Sequence, residues 1–168
     1  MKNSILELDK DCQRILRHSL IAVSPQEGCA ILLGIKKDNA DDQKTSLGRI
    51  TVIWPCCNIW EDDIFNINSL LNRQEKDSKT TFSRENRFAI DPREQLLAQK
   101  WARKQNLSVI GTAHSHTASS PFPSKEDLAW SFNDELICIC DRTGNLCAWL
   151  IKKGSSPRKV KINYIDSQ

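Results

Sequence analysis

Between His114 and Asp127 the chain reads HSHTASSPFPSKED, and this stretch holds the side chains best suited to chemistry. His114 and His116 are two residues apart, seven residues separate His116 from Ser124, and two separate Ser124 from Asp127. The histidines end an apolar run, Leu107-Ser-Val-Ile-Gly-Thr-Ala. In a buried strand, side chains at i and i+2 point the same way, so both imidazoles can reach one ion. The proline-rich loop turns the chain, Ser124 can cap a following helix, and Asp127 falls in that helix's first turn, where an anion is favoured. Two histidines and one carboxylate leave a tetrahedral Zn2+ with one open position, the arrangement of a catalytic rather than a structural site.

A lone H-x-H more often packs or caps than binds metal. The longer H-x-H-x7-S-x2-D string at a strand–loop–helix junction is far more restrictive. With a glutamate far upstream, Glu27, the string resembles the signature of the JAMM, or MPN-plus, metalloproteases. Arg87-Phe-Ala-Ile-Asp-Pro is also similar to the lead-in of a helix in small stand-alone prokaryotic members. Thr117 departs from the family pattern, which usually has proline after the second histidine. That changes loop stiffness rather than a ligand.

The resemblance implies an α/β fold: a single JAMM/MPN domain over residues 1–168, a mixed curved sheet flanked by helices with cytidine-deaminase-like topology. It implies one Zn2+ per chain on His114, His116 and Asp127. Glu27 would serve as the base that takes a proton from water and hands it to the leaving nitrogen. Ser124 would donate to a developing oxyanion. From physics alone Ser124 is as well explained as an N-cap. The implied activity is a zinc-dependent peptidase or isopeptidase cutting an amide bond at the C-terminal tail of a ubiquitin-like, sulfur-carrier-type protein. An extended tail could add as a strand beside a sheet edge. Three rivals stand beside this reading: a non-catalytic MPN scaffold, a zinc amidohydrolase for a small molecule, and a binding module whose histidines only pack.

The rest of the chain supplies the frame. Its 168 residues suit one domain with a real core. The net charge of +3 is small and no long basic block occurs, so nothing favours nucleic acid as a partner. No apolar run is long enough to span a bilayer, and the N-terminal MKNSILELDKDC lacks the form of a signal peptide. Seven cysteines, an odd number without C-x2-C, read as reduced thiols in a cytoplasmic protein; Cys29, Cys138, Cys140 and Cys147 lie in apolar segments as small hydrophobes. The oligomeric state is left open, a dimer included.

In chain order, Leu8, Cys12, Ile15 and Leu16 recur at helical spacing and predict a first helix ending before Ser24-Pro25. Glu27 opens a buried strand to Gly34. Gly48 to Trp54 alternates as an antiparallel neighbour that Pro55 ends or marks as an edge, and Cys57 to Trp60 could resume pairing. Residues 62–86 leave room for a flexible insertion, either a flap over a substrate tail or a surface loop without a role. Asp91 and Pro92 predict a helix start; Leu97, Ala98, Trp101 and Ala102 mark its buried face, and Asn106 its end. Ser115, between the histidines, should point to the opposite face and pack. Leu128 to Phe132 continue a short helix, Glu135–Cys140 and Leu146–Ile151 form a hairpin, and Val160–Ile165 gives a last strand.

Overall fold

The structure is a computed structural model that describes residues 4–37, 45–61, 83–118, 120–130, 135–152 and 154–166. The described residues form seven strands and three helices, in chain order β1 (Ser4–Asp9), α1 (Lys10–Ile21), β2 (Cys29–Ile35), β3 (Thr45–Cys56), α2 (Pro92–Lys104), β4 (Ser108–His116), α3 (Lys125–Trp130), β5 (Glu135–Asp141), β6 (Leu146–Ile151) and β7 (Arg158–Ile165). The strands run in the order β1-β3-β2-β4-β5-β6-β7, and β7 closes on β1 to complete a barrel. The sheet is mixed: β1 lies parallel to β3 and β7, β4 lies parallel to β5, and the other neighbours are antiparallel.

The barrel closes because its strands bury opposite faces in turn. Leu6, Leu8, Ala30, Leu32, Ile50, Ala113, Cys138 and Ala148 point inward and pack with Cys12, Leu16 and Leu20 of α1. On the other face Ile31, Leu33 and Cys29 of β2 meet Ala98 and Ala102 of α2. Ile137, Ile139, Trp149 and Ile151 form a third cluster against Leu128 of α3. The cysteines are all unpaired thiols, and burial pushes Cys29 and Cys138 up to about 12, which keeps them protonated as apolar filler.

Two sequence expectations need correction. The predicted first helix is a strand followed by a helix: Leu8 belongs to β1, and Ile15 is exposed on α1. Asp9 sits at the junction, where its carboxylate accepts from Arg49 of β3 at 2.9 Å instead of capping α1. On α2 the small side chains Ala98 and Ala102 make the close contact with the sheet, Trp101 is half-buried against Trp54, and Leu97 is exposed. Asp91 does cap α2, accepting from the Arg93 N–H at 2.8 Å with Pro92 in the first position. Asn106 follows the helix with a positive φ of 57°, a conformation asparagine tolerates. Pro55 lies inside β3 but past Ile50, the last β3 residue that β1 pairs, so it occupies an edge. Cys57 to Trp60 contributes one bridge, Asn58 to Ile90. Most of the predicted insertion, residues 62–82, and Phe132 lie outside the described residues. Among those described, no helix is long and apolar enough to cross a membrane.

Candidate metal centre

β4 carries the two histidines to one end of the barrel. Ala113 and Ser115 face one side of the strand, His114 and His116 the other, as alternation requires. Ser115 packs as expected and does more. Its hydroxyl donates to the Leu20 carbonyl at 3.1 Å and accepts from the Gly28 N–H at 2.8 Å. This joins α1, the residue after Glu27 and β4 at a single atom. Gly28 must be glycine here, because a Cβ would lie 2.4 Å from the Leu20 carbonyl oxygen.

The loop after β4 is anchored from β6: the Trp149 indole donates to the Pro121 carbonyl at 2.8 Å, and Phe122 meets its ring edge-on. At the end of the loop Ser124 and Asp127 form a reciprocal cap. The Ser124 hydroxyl accepts from the Asp127 N–H at 3.1 Å, and the Asp127 carboxylate accepts from the Ser124 N–H at 2.7 Å. This turns the first turn of α3 so that Asp127 faces the histidines.

His114, His116 and Asp127 therefore converge from two consecutive elements, the end of β4 and the first turn of α3. The Nε2 atoms are 3.1 Å apart, and each lies 3.4 Å from an oxygen of Asp127. Ligand bonds of about 2.0–2.2 Å at tetrahedral angles would set donor–donor edges of roughly 3.3–3.6 Å. The contacts of His114 to Oδ1 and His116 to Oδ2 match that range and the N–N edge is slightly shorter, so a small tetrahedral cation needs only a minor spreading of the two rings. The Nδ1 of His116 donates to the Ser120 carbonyl at 3.0 Å; when the ring is neutral, its Nε2 then carries a lone pair free to ligate. Burial opposes charge on Asp127, but hydrogen bonds with His114 and His116 and the Ser124 N–H hold its carboxyl well below the usual range. Burial also opposes charge on His116, yet Asp127, Ser120 and Glu27 together leave its pKa above the ordinary histidine value.

Glu27 shares one cavity with two members of this cluster, His116 and Asp127. The cavity has a volume of about 420 Å³, and His116, Ser124, Asp127, Arg87, Phe88 and Trp60 are among the residues that line it with Glu27. Burial pushes the Glu27 carboxyl up to about 8; Asp127 raises it too, while His116 and Arg87 pull it down. The site thus holds a buried carboxyl able to hold or give up a proton near neutral pH.

The sequence reading missed the parts that hold Glu27 in place. The Glu27 N–H donates to the Arg84 carbonyl at 2.7 Å. The Asn58 side chain is almost fully buried and makes five hydrogen bonds. It donates to the carbonyls of Glu27, Arg84 and Arg87 at 3.0, 3.4 and 2.8 Å, and accepts from the N–H groups of Trp60 and Ala89 at 3.0 and 3.1 Å. Residues 83–90 are thereby fastened as a strap along the cavity, which residues 85–90 line. Two further ties fasten this strap: Arg87 to Glu126 at 3.1 Å, and the Thr117 hydroxyl to the Glu85 carbonyl at 2.7 Å. Thr117, the departure from the family pattern, thus makes a bond that proline could not.

A barrel of mixed strands with a His-His-Asp cluster at the end of β4 is an α/β domain of the JAMM/MPN class. The chain belongs to the prokaryotic homologs of the JAB domain, whose family model matches residues 9–156. A desampylase from Pyrococcus furiosus is 37% identical over 76 residues, which is 45% of this chain and 54% of that relative, so the match spans about half of the relative's length. A solution structure of a Desulfitobacterium hafniense protein superimposes with a TM-score of 0.69 at 21% identity, covering 96% of this chain and 94% of that one. One from Salinibacter ruber gives 0.61 at 24% identity, covering 96% and 93%. These two share the fold.

Proposed function

We propose that the protein is a zinc-dependent peptidase or isopeptidase that cuts an amide bond at the C-terminal tail of a ubiquitin-like protein or its conjugate. The observation that carries this reading is the triangle of His114, His116 and Asp127 donors, with a buried, protonatable Glu27 in the cavity that His116 and Asp127 line. The likeness to a desampylase supports a ubiquitin-like modifier as the substrate class, and a sulfur-carrier-type protein is the narrower candidate.

His114, His116 and Asp127 would hold one Zn2+. When bound, such an ion supplies a Lewis acid that acidifies water and polarises a carbonyl. Glu27 takes the proton from the attacking water and returns it to the leaving nitrogen; its raised pKa suits a group that must do both. Ser124 can cap and donate at once. Its cap uses an oxygen lone pair, so the hydroxyl hydrogen stays available for the oxyanion, a contact worth roughly 3 kcal/mol in comparable sites. Arg87 and Thr117 keep the strap closed against bulk water.

The test is a cleavage screen against ubiquitin-like carrier proteins extended by one or more residues at the C-terminus. The wild type should release the extension, and Glu27→Gln should keep its metal and lose cleavage by a factor of at least ~100. Cleavage retained by Glu27→Gln would remove Glu27 from the mechanism. No cleavage of any carrier would turn the reading towards a scaffold.

A further inference from the structure

The two histidines are held in different ways. His116 has a hydrogen-bonded partner for its second nitrogen in Ser120. His114 is completely buried, and its Nδ1 has no hydrogen-bond partner among the described residues. What it has instead is Phe88, whose ring stacks on the imidazole with centroids 4.4 Å apart and planes 21° from parallel. Phe88 is itself fixed from both sides, since Asn58 bonds the carbonyl of Arg87 before it and the N–H of Ala89 after it.

A metal-binding imidazole ordinarily keeps its orientation through a hydrogen bond from the nitrogen that does not ligate. Without one, rotation about the outer side-chain torsion is limited only by packing, because that torsion is broad. A ring stacked nearly parallel opposes that rotation. An imidazole that donates to a divalent cation also becomes electron-poor, and the negative face of a benzene ring then attracts it. We propose that Phe88 is a positioning residue for His114: its stacked ring does for this ligand what the Ser120 carbonyl does for His116. The inference rests on the reading of His114 as a metal ligand, and it makes the strap part of the metal site as well as its cover.

The test measures metal affinity by chelator competition, with Zn2+ and with Co2+, whose visible bands report ligand geometry. Phe88→Leu should weaken binding roughly 10-fold or more, the range found when a hydrogen-bonded partner of a ligand is lost, and should alter the Co2+ bands. Phe88→Tyr, which keeps the ring, should stay within about threefold of wild type. Phe88→Met repeats the test in another flexible apolar side chain should the leucine variant fail to fold. Wild-type affinity and unchanged Co2+ bands in Phe88→Leu or Phe88→Met would overturn the inference while leaving the metal site in place. A wild-type protein that binds neither ion would remove the metal reading and this inference together.

Discussion

The barrel and the strap at residues 83–90 are held by different forces. The barrel is closed by apolar side chains that leave water together: Leu6, Leu8, Leu16, Leu20, Leu32 and Ile50 are all fully buried. The strap joins the apolar core only at its end, through Phe88 and Ile90; the rest is held by a few polar clips, namely Asn58, the Thr117–Glu85 bond and the Arg87–Glu126 pair. Apolar burial is spread over many contacts and tolerates small errors of geometry, whereas a clip depends on single directional bonds. The fold should therefore withstand changes that disable the site, and damage to the strap should affect activity before stability.

The largest effect is expected in the barrel. Leu32→Ala should cost about 2–5 kcal/mol, read as a lower midpoint in denaturant with an unchanged slope. A cost under about 1 kcal/mol would mean that the interior is loosely packed.

Glu27 comes next, because its backbone ties it to the strap while its buried carboxyl titrates. Its folded pKa of about 8 lies above the ordinary glutamate value of 4.5. The native state therefore favours the protonated acid. Relative stability is highest below the unfolded pKa, falls as pH rises through the window from 4.5 to 8, and is constant above it. In metal-free protein, Glu27→Gln should be neutral near pH 4 and stabilising by a few kcal/mol near pH 9, since each pKa unit corresponds to about 1.4 kcal/mol. Equal melting curves at both ends of that range would show that Glu27 is solvated, not buried in the cavity.

Asn58→Ala strands backbone groups of Glu27, Arg84, Arg87 and Ala89. It should destabilise by about 2–3 kcal/mol, with a larger proportional loss of turnover. Turnover that fell only in step with folded protein would place Asn58 in the fold rather than the site. Thr117→Val removes one bond of the strap and should cost about 1 kcal/mol. Thr117→Pro, the family's residue, tests whether the strap needs that bond for cleavage.

The same division explains what could be read from the sequence. The donor set was legible because strand alternation and a helix cap turn spacing into direction: His114 and His116 share a face of β4, and Ser124 orients Asp127. The β5–β6 hairpin and the Asp91 cap followed from local patterns in the same way. β1 was hidden because Leu8 belongs to two periodicities. It continues the alternation of Leu6 within the strand, and it also begins the four-residue spacing through Cys12 to Leu16. Leu97 looked like core because it is large, yet α2 meets the sheet through alanines, where helix and sheet come closest. Asn58 left no trace. It is one polar residue in an irregular segment, and the backbone groups of Glu27, Arg84, Arg87 and Ala89 that it binds lie 31, 26, 29 and 31 positions away. No local pattern encodes such a contact.

The central claim is that His114, His116 and Asp127 bind one catalytic ion, and metal content tests it most directly. Protein purified without a histidine tag should carry close to one equivalent of zinc by elemental analysis, and His116→Ala and Asp127→Ala should each lose it while remaining folded. Wild-type protein that stays metal-free in the presence of zinc, or variants that keep a full equivalent, would contradict the account.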